Sequence, residues 1–224
     1  MRRYWFLGIA GAIAAALAAL PLSASAASAI LTVGSSSGPA VASGDSLSGA
    51  LSGSATFVNS SSSSQKVMCT SSGLTATAVS NPAPTGQATE TNSAQTFGGC
   101  SISGVFGATG INSIITNASS SCPWNVKVDD TTSPAGATIS PATAGGCATS
   151  IVATVNVQTI FGAQMCVYNP TGGSIGGTAT TTLNFSNVSF TKSSGPGTCF
   201  GTAKFSATYN ITDTTQGGGA VVVN

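Results

Sequence analysis

The sequence of 224 residues contains no histidine and has little charge of either sign. Charged residues make up 5% of the chain, against about 25% in ordinary globular domains. Without histidine there is no imidazole to shuttle protons or bind a metal ion, and so few basic residues cannot hold a nucleic-acid backbone. We therefore expect no metal, no cofactor and no nucleic-acid partner. The charged residues are Asp45, Glu90, Asp129, Asp130, Asp213, Arg2, Arg3, Lys66, Lys127, Lys192 and Lys204.

Catalytic constellations are also scarce, and we predict that the protein is not an enzyme. A Ser–His–Asp triad cannot form without histidine. A glycosidase needs two carboxyl groups about 5 to 10 Å apart, whereas the five acidic residues are expected in turns or at strand edges. Asp129 and Asp130, followed by two threonines, form a candidate Ca²⁺ site, but we favour an Asx-type turn at a hairpin tip. A hydrolase that works without histidine stays the weakest hypothesis.

The first 26 residues have the pattern of a secretory signal peptide. Arg2 and Arg3 precede the uncharged residues 4–22, and two small-x-small cleavage sites follow at residues 24–26 and 27–29. A permanent membrane anchor is the alternative, because 19 uncharged residues nearly span a bilayer. The arginine pair also suggests twin-arginine export, although we favour general secretion. We expect a mature protein of residues 27–224, with four Lys against five acidic residues, in the extracellular space or at the cell surface.

All six cysteines lie in this mature part. An even number in an exported chain predicts disulfides, but sequence alone allows fifteen pairings. None belongs to a Cys-x-x-Cys pair, which argues against a zinc or redox site. The cysteines are Cys69, Cys100, Cys122, Cys147, Cys166 and Cys199.

Period-two alternation predicts β-strands throughout the mature chain. Runs rich in Thr and Val are separated by clusters of Gly, Pro, Ser and Asn, which favour turns. Short strands at this spacing predict a single all-β domain, an antiparallel β-sandwich or β-barrel. The predicted inward positions are Leu47, Gly49, Leu51, Gly53, Ala55 and Phe57; Trp124, Val126 and Val128; Ile151, Ala153, Val155, Val157 and Phe161; and Ala203, Phe205, Ala207, Tyr209 and Ile211.

An internal duplication is a further prediction, with repeats around residues 45–110 and 148–212. Cys69 and Cys100 enclose 30 residues and Cys166 and Cys199 enclose 32, and each interval contains Gly-x-Ala-Thr-x-Thr. Duplication implies that these cysteines pair within each repeat. Cys122 and Cys147 would then close a hairpin formed by residues 124–140.

Short motifs give the chain a family resemblance. Val67-Met68-Cys69-Thr70, the Gly-x-Ala-Thr-x-Thr segment before a second cysteine, and Cys122-Pro123-Trp124 accompany the signal peptide and the scarcity of charge. In these features the chain resembles the bacterial family of activators of alkane oxidation and related secreted proteins of actinobacteria. The resemblance implies secretion or surface association, with a role in biofilm or surface hydrophobicity and no catalytic residues. The serines at 60–64 and the cysteines at 122 and 147 depart from that family.

Two functional hypotheses follow. The first is a non-enzymatic extracellular or cell-surface structural protein that associates with the cell envelope or with itself, since low charge removes repulsion between sheet edges. The alternative is a secreted binding module for a glycan or an apolar small molecule, with no ligand named by the sequence. That alternative needs a cavity lined by aromatic residues, although their alternating placement fits core positions better. The aromatic residues concerned are Trp124, Tyr168, Phe185, Phe190, Phe200, Phe205 and Tyr209.

Overall fold

A computed structural model describes residues 29–143 and 145–224, so the predicted signal peptide at residues 1–26 lies outside the described residues. Within the described part the chain folds into β-strands and turns, with no helix. The all-β prediction is confirmed. The strands are β1 (Leu31–Val33), β2 (Ser46–Leu51), β3 (Ala55–Asn59), β4 (Ser62–Ser80), β5 (Gln87–Ser103), β6 (Ala108–Thr116), β7 (Trp124–Asp129), β8 (Ala135–Ser140), β9 (Ala153–Thr159), β10 (Gly162–Pro170), β11 (Ile175–Ala179), β12 (Thr182–Ser194), β13 (Thr202–Asp213) and β14 (Gly219–Val223).

Eight antiparallel strands pair in a closed ring, in the order β2–β4–β5–β7–β8–β11–β12–β13. The ring closes because β13 pairs on one side with β12, where Tyr209 lies opposite Leu183, and on the other with β2, where Tyr209 lies opposite Leu51. A closed ring leaves no unpaired strand edge within it. β1 and β14 pair with each other, and β14 also pairs with the end of β13.

Four strands of the ring, β4, β5, β12 and β13, are longer than the others and continue beyond it. In their continuation β3 pairs with both β4 and β13, while β10 pairs with β12 and is followed by β9 and β6. β6 lies beside β5, where the Thr116 hydroxyl group donates to the Gln95 carbonyl oxygen at 3.4 Å. The long strands therefore join a ring half, closed by β2, β7, β8 and β11, to an extended half, built with β3, β6, β9 and β10.

The predicted alternation matches the buried face of most strands, with two corrections. Residues 47–58 form two strands, because the chain turns at residues 52–54 and Gly53 adopts a φ of 85° there. Phe161 is exposed, because Ile160 and Phe161 form the turn between β9 and β10. The buried residue at the end of β9 is Thr159, whose hydroxyl group donates to the Gly162 carbonyl oxygen at 2.8 Å.

The aromatic residues proposed for the core are buried, as predicted. Phe57, Phe190 and Phe205 pack together in the extended half, with ring centroids 4.7 to 6.2 Å apart. Phe97 joins them at 6.0 Å from Phe57. Phe185 and Tyr209 continue the cluster toward the ring half. Rings at these separations and tilts stabilise a core beyond their buried area.

The chain has three disulfides: Cys69–Cys100 joins β4 to β5, Cys166–Cys199 joins β10 to the loop before β13, and Cys122–Cys147 joins two loops. These are the pairings that the duplication hypothesis implies. Each closes a loop of 25 to 33 residues, which stabilises the folded chain by roughly 3 to 4 kcal/mol. Three disulfides are consistent with an extracellular protein.

Candidate binding cavity and apolar tip

The ring half encloses a cavity of about 80 Å³. Its wall is almost entirely aliphatic, with Leu47, Leu74 and Leu183 among the lining side chains. The small residue Ala76 also lines the cavity, whereas the space beside Gly49 is filled by Leu74 and Ile211. The aromatic residues that the binding-module hypothesis requires do not line this cavity. The predicted aromatic residues fill the core instead.

Glu90 lies in this apolar cavity without a hydrogen-bond partner. Ala88, Glu90 and Asn92 share the inward face of β5, where the Glu90 side chain is 5% exposed. Neither of its carboxyl oxygens accepts or donates a hydrogen bond within the described part of the chain. Burial raises the pKa of the Glu90 carboxyl group to about 8, from an ordinary value of 4.5. Glu90 is therefore mostly protonated at neutral pH.

The position of Glu90 corrects the expectation that every acidic residue lies in a turn or at a strand edge. Glu90 is inside β5, opposite Ala78 of β4 and Val126 of β7. A period-two interpretation of residues 87–92 would have found it, since Thr89 and Thr91 flank it on the outward face.

The cavity reaches the protein surface at the turn between β11 and β12. Thr180 and Thr181 form this turn, line the cavity and are exposed to solvent. Asn92 supplies a second inward polar group, but its side-chain oxygen already accepts from the Ala94 amide at 3.1 Å. The surface of the cavity is therefore almost wholly apolar, and the Glu90 carboxyl oxygens are buried behind it.

Asp129 and Asp130 form the predicted Asx-type turn at the tip of the β7–β8 hairpin. Asp129 accepts hydrogen bonds from the Thr131 amide and hydroxyl groups at 3.0 and 2.6 Å. These bonds, together with one from Gln87, hold the pKa of the Asp129 carboxyl group below its usual value. Asp130 accepts from two backbone amides of the facing turn, those of Thr85 and Gly86. Both carboxylates therefore fasten neighbouring turns.

Asp45 and Asp213 form a second carboxyl pair, away from the cavity. Asp45 accepts from the Gln216 side chain at 2.8 Å, and this bond is the main reason that its pKa is lowered. Burial, reinforced by the nearby Asp45 charge, raises the pKa of Asp213. The Asp213 carboxyl group also accepts from the Thr215 and Gln216 amides, both at 2.9 Å, so it caps the turn after β13. Neither aspartate lines the cavity. Within residues 29–143 and 145–224, no group of three or more potential metal ligands occurs.

An exposed apolar tip, formed by Phe106, Ile160 and Phe161, lies at the far end of the extended half. Phe106 belongs to the loop between β5 and β6 and is 86% exposed; Ile160 and Phe161, in the β9–β10 turn, are 64% and 75% exposed. The Ile160 amide donates to the Gly107 carbonyl oxygen at 2.9 Å. A Cβ atom on Gly107 would lie within 3.7 Å of both Ile160 and Phe161. The two loops therefore present one continuous apolar patch.

The apolar tip is carried by segments without charge. Residues 91–126 and 131–191, which include both hairpins, contain no Asp, Glu, Lys or Arg. Lys66, paired with Ser103 at the end of β5, places one positive charge at the base of the tip. Sequence analysis missed the apolar tip because it placed Phe161 inward.

Comparisons with protein-family models, curated proteins and solved structures find no match for this chain. In the part of the chain that the structure describes, no helix is long and apolar enough to cross a membrane.

Proposed function

We propose that the chain is a non-enzymatic extracellular or cell-surface protein that attaches to the lipid of a cell envelope through its apolar tip. The observation that carries this proposal is the exposure of Phe106 and Phe161 on two adjacent loops. Contiguous exposed apolar patches mark interaction surfaces in otherwise soluble proteins. Burying a Phe side chain contributes roughly 1.5 to 3 kcal/mol, so two of them supply enough free energy for reversible attachment.

The absence of charge around the apolar tip defines the kind of attachment. A protein that binds anionic lipid through basic residues is released by salt, because the interaction is screened over about 10 Å at 0.1 M salt. The apolar tip has only Lys66 at its base and no charge in either hairpin. We expect attachment that does not require anionic lipid and that is insensitive to salt.

Export and domain organisation belong to the same proposal. The pattern of residues 1–26 and the three disulfides support a protein secreted after signal-peptide cleavage, with residues 27–224 as one domain. The family resemblance to activators of alkane oxidation, with its implied surface role, points in the same direction.

We propose that the architecture is a barrel with an extension rather than a sandwich. The closed ring of strands supports this proposal. Internal duplication stays a prediction. The similar spacing of Cys69–Cys100 and Cys166–Cys199 supports it. Their settings differ, however, because Cys100 lies within β5 whereas Cys199 precedes β13.

Self-association through sheet edges has less support than attachment through the apolar tip. β1 has three residues, and the outer side of β6 lies beside β5. Short or covered edges are poor templates for pairing with another chain. Self-association, if present, is expected to use the apolar tip.

Flotation with phosphatidylcholine vesicles tests the proposal. The mature protein is compared with a Phe106→Ser/Phe161→Ser variant, whose attachment should weaken at least a hundredfold because two buried aromatic side chains are lost. Val79→Ser is the matched control, because Val79 is 50% exposed on β4, far from the apolar tip, and its removal should leave flotation unchanged.

Three results would contradict the proposal. Failure of the wild type to float, equal flotation of the tip variant, or release by 0.5 M NaCl would each exclude tip-mediated attachment to lipid. Sedimentation velocity is run in parallel. An oligomer that dissociates in the tip variant, without flotation, would assign the apolar tip to self-association instead.

The cavity favours a second candidate function, the binding of an apolar small molecule. Its aliphatic wall and its opening at Thr180 and Thr181 suit such a ligand. A glycan has less support, because sugar rings stack on aromatic side chains and none lines this cavity.

A further inference from the structure

We infer that Asp45 and Asp213 hold a Ca²⁺ ion between the loop that precedes β2 and the turn that follows β13. The carbonyl oxygen of Ala40 and the side-chain amide of Gln216 supply two further oxygen ligands. The inference goes beyond the proposed function, because neither aspartate belongs to the apolar tip or lines the cavity. It also replaces the expectation, drawn from the sequence, that the chain binds no metal.

The two carboxyl groups are buried next to each other without a positive charge. Asp213 is fully buried and Asp45 is 7% exposed, and they lie within hydrogen-bonding distance of each other. Asp45 is the only charged residue in positions 29–65, and Asp213 is the only one in positions 205–224. Lys204 lies at the other end of β13, about 30 Å along the strand from Asp213. Two adjacent buried negative charges are unfavourable unless a cation compensates them.

Asp213 has one oxygen that no described protein group satisfies. Its Oδ1 atom accepts from the backbone amides of Thr215 and Gln216, both at 2.9 Å. Its Oδ2 atom is buried and has no hydrogen-bond donor within the described residues. Buried polar atoms in folded proteins almost always have a partner, so an unmatched carboxylate oxygen points to a ligand. A cation bound between the two aspartates would satisfy this oxygen.

Gln216 and Ala40 place further polar atoms beside Asp45. The Gln216 Nε2 atom donates to Asp45 Oδ2 at 2.8 Å and to the Ala40 carbonyl oxygen at 3.0 Å. A half-turn of the amide group exchanges its nitrogen with its oxygen, which are nearly equal in size. Neighbouring oxygen ligands of Ca²⁺ lie about 2.8 to 3.4 Å apart, because Ca–O distances are about 2.3 to 2.6 Å. The observed spacing of these atoms fits that range.

The chemistry of these ligands selects Ca²⁺ among the common cations. Ca²⁺ takes six to eight oxygen ligands in flexible geometry, including neutral carbonyl oxygens and water. The site therefore needs no third acidic side chain, in keeping with the absence of larger acidic clusters from the described residues. Two carboxylates also balance the double charge of the ion. Mg²⁺ requires a near-ideal octahedron with shorter bonds, which ligands from two separate loops meet poorly.

An ion at this position would fasten both terminal strands to the ring. Asp45 follows the loop after β1, Asp213 precedes the turn into β14, and β1 and β14 pair with each other. A ligand that binds only the folded chain stabilises it by mass action. Ca²⁺ should therefore raise the melting temperature of the protein.

Thermal unfolding of the EDTA-treated mature protein, with and without 10 mM CaCl₂ at constant ionic strength and pH 7, tests the inference. For a Kd of about 10⁻⁴ to 10⁻³ M, typical of extracellular sites, we expect Tm to rise by about 3 to 10 °C. Asp213→Asn should lose this rise, because it removes one charge while keeping an oxygen for the Thr215 and Gln216 amides. Asp129→Asn is the matched control, since it removes one charge from the acidic pair of the β7–β8 turn and should keep the rise.

NMR of the wild type locates the ion, because the Thr215 and Gln216 backbone amides should shift when Ca²⁺ is added. Should Asp213→Asn fail to fold, Asp45→Asn replaces it. The inference is overturned by a wild type that shows neither a Tm rise nor these shifts, and the two aspartates would then share a proton instead. An equal rise in wild type and Asp213→Asn, or a rise lost only in Asp129→Asn, would place the ion elsewhere. An equal response to 10 mM MgCl₂ would contradict the assignment to Ca²⁺.

Discussion

The ring half and the extended half share four long strands, yet one encloses a cavity and the other is filled. In the extended half, inward positions carry Phe57, Phe97, Phe190 and Phe205, and the spaces between the side chains there are of about 20 Å³. In the ring half the inward positions are aliphatic, small or polar, and about 80 Å³ remains open. The same backbone arrangement thus gives a packed core or a pocket, depending on which side chains face inward.

β5 shows this change within a single strand. Its first inward residues are Ala88, Glu90 and Asn92, which line or adjoin the cavity, whereas Phe97 packs in the aromatic cluster. Strand pairing continues along β4 and β5 across both regions. Secondary structure alone therefore does not distinguish the binding region from the packed one.

The extended half and the ring half also have separate roles. The apolar tip extends from the filled half, where close packing holds its hairpins in place. The cavity lies in the half with less packing. We expect substitutions in the apolar tip to leave ligand binding in the cavity unchanged, and substitutions in the cavity wall to leave lipid attachment unchanged.

Removing an aromatic ring from the filled half should have the largest effect on stability. Phe205→Ala deletes a ring that contacts Phe57, Phe97, Phe185 and Phe190. We expect a loss of about 3 to 5 kcal/mol in the free energy of unfolding, because buried area is lost and a cavity remains. Chemical denaturation of the oxidised protein measures this difference. Thr208→Ala, on the other face of β13, is the control and should change stability by about 0.5 kcal/mol at most. A small effect of Phe205→Ala would mean that the two halves do not differ in packing.

Glu90 should make the stability of the ring half depend on pH. Its pKa is about 8 when folded and near 4.5 when unfolded, so the folded state holds the proton more tightly between these values. The contribution is fully present below pH 4.5, declines as the pH rises toward 8, and is absent above that. One pKa unit corresponds to about 1.4 kcal/mol, so the difference between 4.5 and about 8 corresponds to a total decline of at most about 5 kcal/mol.

Glu90→Gln isolates this contribution, because the amide keeps the shape of the side chain and does not titrate. The difference in unfolding free energy between wild type and Glu90→Gln should grow in favour of the variant from pH 5 to pH 9. Parallel stability curves for the two proteins would show that Glu90 is hydrated or ionised in the folded state.

Much of the fold was accessible from the sequence, because period-two alternation reports directly which face of a strand is buried. Trp124, Val126 and Val128 were placed correctly, as were Phe205 and Tyr209. The disulfide pairing is the one that the duplication hypothesis implies, although the sequence alone allows fifteen pairings. Order among strands was not accessible, since pairing between β13 and β2 joins residues more than 150 positions apart.

The candidate sites were not predicted, for two physical reasons. The alternating pattern of the sequence continues through a two-residue turn. It therefore predicts that Phe161 faces inward, although the chain reverses direction at residues 160 and 161. A cavity depends on the volumes of side chains from several strands, so the space left by Ala76 can be recognised only once β4 is placed beside its neighbouring strands. Glu90 was expected in a turn or at a strand edge, whereas it lies on the buried face of β5.

Filling the cavity should have the smallest effect on stability and a large effect on binding. Ala76→Val adds two methyl groups to the cavity wall from β4. We expect stability to rise by about 0.5 to 1 kcal/mol, as is common when a cavity is filled, and the valine also suits a strand. The same methyl groups should weaken the binding of a small apolar molecule in the cavity at least tenfold. Thr77→Val is the control, because Thr77 is exposed on the same strand and lies outside the cavity. A variant that loses stability would show that the ring half is already packed as closely as the extended half, and the contrast between the two halves would then fail.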